Sequence, residues 1–217
     1  LICGLIKGLN DLFKLKISNH EMINISQKVE HNFIGVKGGI MDQFAIFFGK
    51  KDKIILLNCD TLNLKMIDSK FSPYKFLLLN TNVNHKLSSS DYNRRVKECE
   101  SALKKIKIEN KKLSCLANAP EDYIIKNEPL FTKNEFKRAL YVSQENQRVL
   151  KSTKLLKTSN FVDFGKLMYK SHEGLKNLYE VSCKELDFLV DYSKKYNYVL
   201  GSRMMGGGFG GCTINLI

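Results

Sequence analysis

Four short stretches hold the residues whose types and spacing could do chemistry. Gly206-Gly207-Gly208-Phe209-Gly210-Gly211 places five glycines in six residues, so that backbone amides can approach a ligand without side-chain obstruction. The string satisfies G-x-G-x-x-G, but a dinucleotide fingerprint requires strand, turn and then helix, and Cys212 to Ile217 read as a strand. Alone, the loop fits a hairpin that needs glycine for its geometry as well as it fits a phosphate site. Gly39-Ile40-Met41-Asp42-Gln43-Phe44 sets one carboxylate among apolar residues, where burial is costly unless the group is paired or used. Used, it is a base within reach of a hydroxyl; otherwise, Asp42 caps a helix starting at Gln43. Glu30 lies upstream on a helical pattern and offers the carboxylate oxygen that a hard cation such as Mg²⁺ takes while keeping several waters; the alternative is an exposed helix glutamate. In the stretch 80–95, Tyr92 can hydrogen-bond a hydroxyl-bearing ligand or sit half in the core. Ser88-Ser89-Ser90 lacks a flanking glycine and reads as a helix cap. His20, His31, His85 and His172 show no ligand spacing, and none is assigned to a metal.

The elements that would position these residues follow from periodicity. Leu1, Ile2, Leu5, Ile6, Leu9, Leu12 and Phe13 recur at helical spacing and predict a helix over 1–15. Ser18 and Asn19 can cap a second helix over about 20–33, which Gly35, Gly38 and Gly39 end. Residues 53–58, 63–67 and 74–80 read as strands. Ser88 to Asp91 fits a capping box opening a helix to about Ile106, and helical patterns follow at 133–157, 161–176 and 178–195. Tyr198–Leu200 and Thr213–Ile217 read as strands flanking the glycine loop. The mixture is α+β, with a weakly marked boundary near residue 75.

The 217 residues, 43% hydrophobic and 26% charged, suit one generous domain or two smaller ones sharing a cleft. No apolar run approaches the roughly 20 residues of a membrane span, and no leader is visible, so a membrane role is not expected. Six cysteines without a C-x-x-C pair argue for reduced thiols in the cytoplasm. The net charge of +13 comes from 35 Lys and Arg, of which only Arg94, Arg95, Arg138, Arg148 and Arg203 are Arg. Nucleic-acid readers cluster their bases and favour Arg; here Lys is scattered, so no nucleic acid is expected.

Taken together, GGIMDQF at 38–44, NTNVNHKLSSSDYNRR at 80–95, SHEGLKNLYEVSCKELD at 171–187 and GSRMMGGGFGGCTINL at 201–216 occur in that order. In these segments the chain resembles the galactokinase family of the GHMP small-molecule kinase superfamily, along essentially its whole length. The resemblance implies transfer of the ATP γ-phosphate to the anomeric hydroxyl of α-D-galactose. It implies a GHMP kinase fold, with the remainder of a ribosomal-S5-like N-terminal domain over 1–75 and a truncated ferredoxin-like C-terminal domain over 76–217, enclosing the site between them. It makes Asp42 the proton acceptor, Gly39, Asp42 and Tyr92 the sugar contacts, and Glu30 the Mg²⁺ ligand. Gly206, Gly207, Gly208, Gly210 and Gly211 become the active-site glycine loop beside the phosphate-binding loop. Gly38 stands where many relatives have Cys, a departure the mechanism tolerates because it does not use the thiol. Galactose and ATP are the implied partners, the enzyme is expected to be a monomer, and ATP is its co-substrate. The resemblance also marks the chain as an internal fragment, without the opening sugar and phosphate-loop segment and without a closing strand and helix. On that reading it is inactive alone and leaves apolar surface bare. The alternatives are a kinase for a related sugar such as N-acetylgalactosamine and a non-catalytic galactose-sensing regulator.

Overall fold

The computed structural model describes residues 1–35, 37–83 and 89–217, with the side chains of Ser89 and Ser90 outside that description. The expected cap at Ser88, the serine run 88–90 and His85 therefore lie outside the described residues. The chain divides into two units, Leu1–Asp68 and Ser69–Ile217. Among the described residues, no helix is long and apolar enough to cross a membrane.

The first unit opens with helix α1 (Ile2–Leu12), which buries Cys3 and leaves Leu5, Leu9 and Leu12 exposed. Helix α2 (Asn19–Val29) is capped by Ser18, one of the two caps its sequence offers, and the structure adds a full capping box. The Ser18 hydroxyl accepts the Glu21 N–H at 3.3 Å, and the Glu21 carboxylate accepts the Ser18 N–H at 2.9 Å. The predicted helical stretch continues past α2 as a π-helical turn, Glu30–Ile34, until Gly35 stops it at φ +77°, a conformation available to glycine at no steric cost. Helix α3 (Met41–Phe48) buries Phe44 against Ile23 and Ile40. An antiparallel hairpin of β1 (Lys53–Leu57) and β2 (Leu64–Asp68), in register from Lys53↔Asp68 to Leu57↔Leu64, adds Leu57 and Leu64 to that cluster.

The second unit holds a three-stranded antiparallel sheet ordered β3 (Phe76–Asn80), β5 (Cys212–Leu216), β4 (Gly201–Met204). Its helices are α4 (Ser89–Glu109), α5 (Glu121–Lys126), α6 (Lys133–Lys157), α7 (Phe161–Gly174) and α8 (Lys184–Ser193). Ala102, Ile106, Leu116, Ile124 and Ala139 form one core cluster; Tyr141, Leu175, Val181, Leu186 and Met204 form another beneath the glycine loop. Two expectations are corrected here. The strand predicted at Tyr198–Leu200 lies instead at Gly201–Met204, where Gly165 of α7 meets the chain so closely that a Cβ there would lie 2.1 Å from the Leu200 carbonyl oxygen. The helix predicted over 178–195 begins only at Lys184, because α7 continues as a π-helical turn, Leu175–Tyr179, and Glu180 then adopts a left-handed conformation (φ 55°, ψ 50°).

Candidate active site

In the first unit, α3 sets the orientation of the 38–44 stretch. Gln43 and Phe44 are buried, while Asp42, in the first turn beside them, is exposed. The helix begins at Met41 with Ile40 as its N-cap and no side-chain cap bond, so Asp42 does not cap a helix starting at Gln43. Among the described residues, its carboxylate has no hydrogen-bond or ion-pair partner. Gln43 donates from Nε2 to Glu30 Oε2 at 3.0 Å and is 3% exposed, with its own Oε1 buried and unpartnered. The segment is further tied by His31, whose Nε2 donates to the Gly38 carbonyl at 2.9 Å. A Cβ at Gly38 would sit 3.6 Å from Glu30 Oε2, an ordinary contact, so the site has room for a side chain at this position.

Among the described residues, no group of three or more His, Cys, Asp or Glu could hold a metal by itself. A Mg²⁺ that travels with phosphates asks for less: one carboxylate and several waters. Glu30 meets that demand, because Gln43 fixes one oxygen, and the half-buried carboxylate keeps its other oxygen without a partner among the described residues. The Gln43 Oε1 beside it is a buried acceptor without a partner among the described residues, the kind of atom that asks for a donor.

In the second unit, the glycine hairpin joins β4 to β5, closed by the Met205 N–H on the Cys212 carbonyl at 3.0 Å. Gly206, Gly208, Gly210 and Gly211 have φ of +78°, +88°, +132° and +78°, the region in which other residues are strained. Gly208 is constrained twice, since a Cβ there would lie 2.2 Å from the Val181 carbonyl oxygen. The structure brings Tyr92 to this loop: a Cβ at Gly207 would sit 3.6 Å from the tyrosine ring. Glu30, Gly39 and Asp42 thus belong to one unit, and Tyr92 and the glycine loop to the other.

One feature escaped the sequence reading. His172 is 1% exposed, and its Nδ1 accepts the Met204 N–H at 3.2 Å, at the entrance to the glycine loop. Its Nε2 therefore carries the proton and donates to Asp187 Oδ1 at 3.1 Å. Asp187 also accepts from the Ser182 hydroxyl at 2.6 Å and pairs with Lys176 at 3.1 Å. Burial pushes the His172 pKa down against the opposing pull of Asp187, and the neutral ring is the form the Met204 bond requires. The signal was present as the SHEGLK and CKELD strings, but a single histidine with no ligand spacing gave no role.

Comparison with known proteins places this geometry in a family. The model for the GHMP kinases N terminal domain matches residues 1–50, and that for the GHMP kinases C terminal region matches residues 152–217. A galactokinase of Thermotoga maritima is 44% identical over 209 residues, covering 96% of this chain and 57% of the relative. One of Clostridium acetobutylicum is 42% identical over 221 residues, covering 100% of this chain and 55% of the relative. The crystal structure of Lactococcus lactis galactokinase complexed with galactose superposes with a TM-score of 0.95 at 37% identity, over 99% of this chain and 55% of that one. An L. major mevalonate kinase in complex with R-mevalonate shares the fold at a TM-score of 0.63 and 19% identity, over 100% of this chain and 55% of that one. The chain thus spans a little over half the length of the relatives it matches. With both terminal regions of the family matched in order and galactokinase similarity running from end to end, the chain belongs to the GHMP kinases.

Proposed function

We propose that this chain forms part of a galactokinase, which transfers the γ-phosphate of ATP to the C1 hydroxyl of α-D-galactose. The C1 oxygen forms a bond to the γ-phosphorus, the bond from that phosphorus to the β–γ bridging oxygen breaks, and ADP leaves. Asp42 takes the hydroxyl proton. The observation that carries this reading is the state of Asp42: exposed, without a partner among the described residues, and held in place by its buried neighbours Gln43 and Phe44. A carboxylate engaged in capping or an ion pair would have fewer acceptor sites open and would be turned away from a substrate hydroxyl.

The other roles follow the same reading. Gly39 and Tyr92 contact the sugar, and the glycine loop shapes the phosphate end with its backbone. Phosphoryl transfer asks mainly for such positioning and for neutralisation of charge. Glu30, fixed by Gln43, would hold Mg²⁺, which when bound neutralises phosphate charge. Residues 1–75 belong to the N-terminal GHMP domain and 76–217 to the ferredoxin-like C-terminal domain. The enzyme works as a monomer in the cytoplasm.

The test measures galactose-dependent ADP release by a galactokinase polypeptide carrying these 217 residues. Asp42→Asn is expected to lower kcat by about 10²–10⁴-fold, the usual worth of general-base assistance, with thermal unfolding unchanged. Turnover near the parent value would remove Asp42 from its role. A panel of galactose, 2-deoxygalactose, N-acetylgalactosamine and glucose separates the galactose reading from a related-sugar kinase, and galactose binding without ADP release would identify a sensor.

A further inference from the structure

We propose that Arg95 and Arg138 are positioning residues for the glycine hairpin, acting through the turn 178–181; only the kinetic arm of the test below rests on the galactokinase reading. The carbonyls of Leu178, Tyr179 and Glu180 fall where the π-helical turn ends, and acceptors at a helix end have no partner within the helix. Two guanidinium groups take all three. Arg138 Nη1 donates to the Leu178 carbonyl. Arg95 donates from Nε to the Tyr179 carbonyl at 2.7 Å and from Nη2 to the Glu180 carbonyl at 2.9 Å. Arg138 is fully buried and Arg95 is 5% exposed.

Both guanidinium groups are themselves held. Glu98 Oε2 accepts Arg138 Nε at 2.7 Å and Arg95 Nη1 at 3.4 Å. The Glu180 carboxylate accepts Lys137 Nζ at 2.5 Å and Arg138 Nη2 at 2.8 Å. These bonds fix Glu180 in the left-handed conformation, which a residue with a Cβ does not adopt without cost. The next residue is Val181, whose carbonyl accepts the Phe209 N–H at 2.6 Å and fills the space a Cβ on Gly208 would need. Helix α4 therefore reaches the hairpin twice. Tyr92 lies against Gly207 directly; one turn on, Arg95 sets the carbonyls that lead to Val181.

A lysine at position 95 offers one compact ammonium where the arginine fork serves two carbonyls and a carboxylate. In the galactokinase polypeptide carrying this chain, hydrogen exchange is read on peptides covering 206–211, with peptides from α4, α6 and the β4–β5 ladder as internal references. Arg95→Lys is expected to speed exchange in 206–211 by about tenfold or more, leave the references unchanged, and lower kcat about tenfold at an unchanged KM for galactose. Glu180→Gln removes a carboxylate that is more than a third exposed, so it tests the same link without a large change in the core, and it is expected to act in the same direction by a smaller factor. Unchanged exchange in 206–211 for both variants would overturn the proposal, as would acceleration spread equally over all references, which marks a merely structural role. Failure of the parent polypeptide to turn over galactose would instead count against the kinase reading, since the exchange measurement needs no substrate.

Discussion

Gly206 and Gly208 share a backbone conformation and differ in surroundings. Both have φ near +80°, but a Cβ at Gly206 meets nothing within 4 Å, while one at Gly208 meets the Val181 carbonyl oxygen at 2.2 Å and Val181 Cβ at 2.8 Å. Gly206→Ala should therefore cost only the left-handed backbone term, roughly 1–2 kcal/mol. Gly208→Ala adds overpacking and should cost about 3 kcal/mol or more; equal losses in urea unfolding would contradict the role given to Val181. Gln43 supports a second expectation. Its amide is what holds Glu30, and loss of such a supporting bond weakens metal binding by about 10–100-fold. Gln43→Leu should raise the Mg²⁺ concentration for half-maximal turnover at least several-fold and leave the galactose KM unchanged, as a Mg²⁺ titration of ADP release would reveal.

Helices α4 and α6 are joined by a cap that does double duty. Thr132 accepts the Glu135 N–H, and the Glu135 carboxylate returns to the Thr132 N–H at 2.7 Å. The same carboxylate accepts the Ser101 hydroxyl at 2.5 Å and Lys105 at 2.6 Å, both on α4. Thr132→Ala should cost about 1 kcal/mol, the usual value of an N-cap. Glu135→Ala should cost more, because it unties two helices as well as one helix end. Chemical denaturation of the two variants side by side would rank them, and the reverse order would show that Glu135 only caps. Helix α7 illustrates a different case: its π-helical extension ends at left-handed Glu180, the Val181 N–H bonds back to the Leu175 carbonyl at 3.0 Å, and the carbonyls of Leu178 and Tyr179 are taken by Arg138 and Arg95 from elsewhere.

For the second unit as a whole, three ionisable groups with shifted pKa values predict one direction of acid sensitivity. Burial works to raise the Glu135 carboxyl, but Lys105, Ser101 and Thr132 outweigh it and hold its pKa at about 2. Lys137 and Arg138 hold Glu180 at about 2 as well, and burial lowers that of His172. In each case the unfolded chain binds protons that the folded chain refuses, so stability rises with pH across the window between the two values. Acidification should first erode stability as pH falls past the ordinary histidine value of about 6.5, and again below the ordinary glutamate value of about 4.3 towards 2. The chain has nine tyrosines and no tryptophan, and every tyrosine lies in Ser69–Ile217, so within these 217 residues tyrosine fluorescence reports this unit. Urea midpoints followed this way from pH 8 to pH 3 should decline in those two windows. His172→Gln should flatten the upper decline, and a midpoint independent of pH would refute the assignment.

By itself, the sequence determined the α+β class, the family, the hairpin built on glycine and the start of α2 at Ser18. Each of these is written in local chemistry: a side-chain period, a cap and its partner three residues on, or a backbone that tolerates positive φ. It also marked Asp42 as a residue to test, although its exposure emerged only when α3 buried the two residues beside it. Tertiary structure alone decided where α7 and its π-helical extension stop. The helical pattern runs on through 178–183, yet the chain turns at Glu180 because Arg95 and Arg138, about 85 and 40 positions away, supply donors to its carbonyls. The same holds for Tyr92 against Gly207, Gln43 beside Glu30, and His172 under Met204. Periodicity reports which face of an element is apolar; which polar atom a buried side chain will meet depends on residues that only folding brings within 3 Å or so of it.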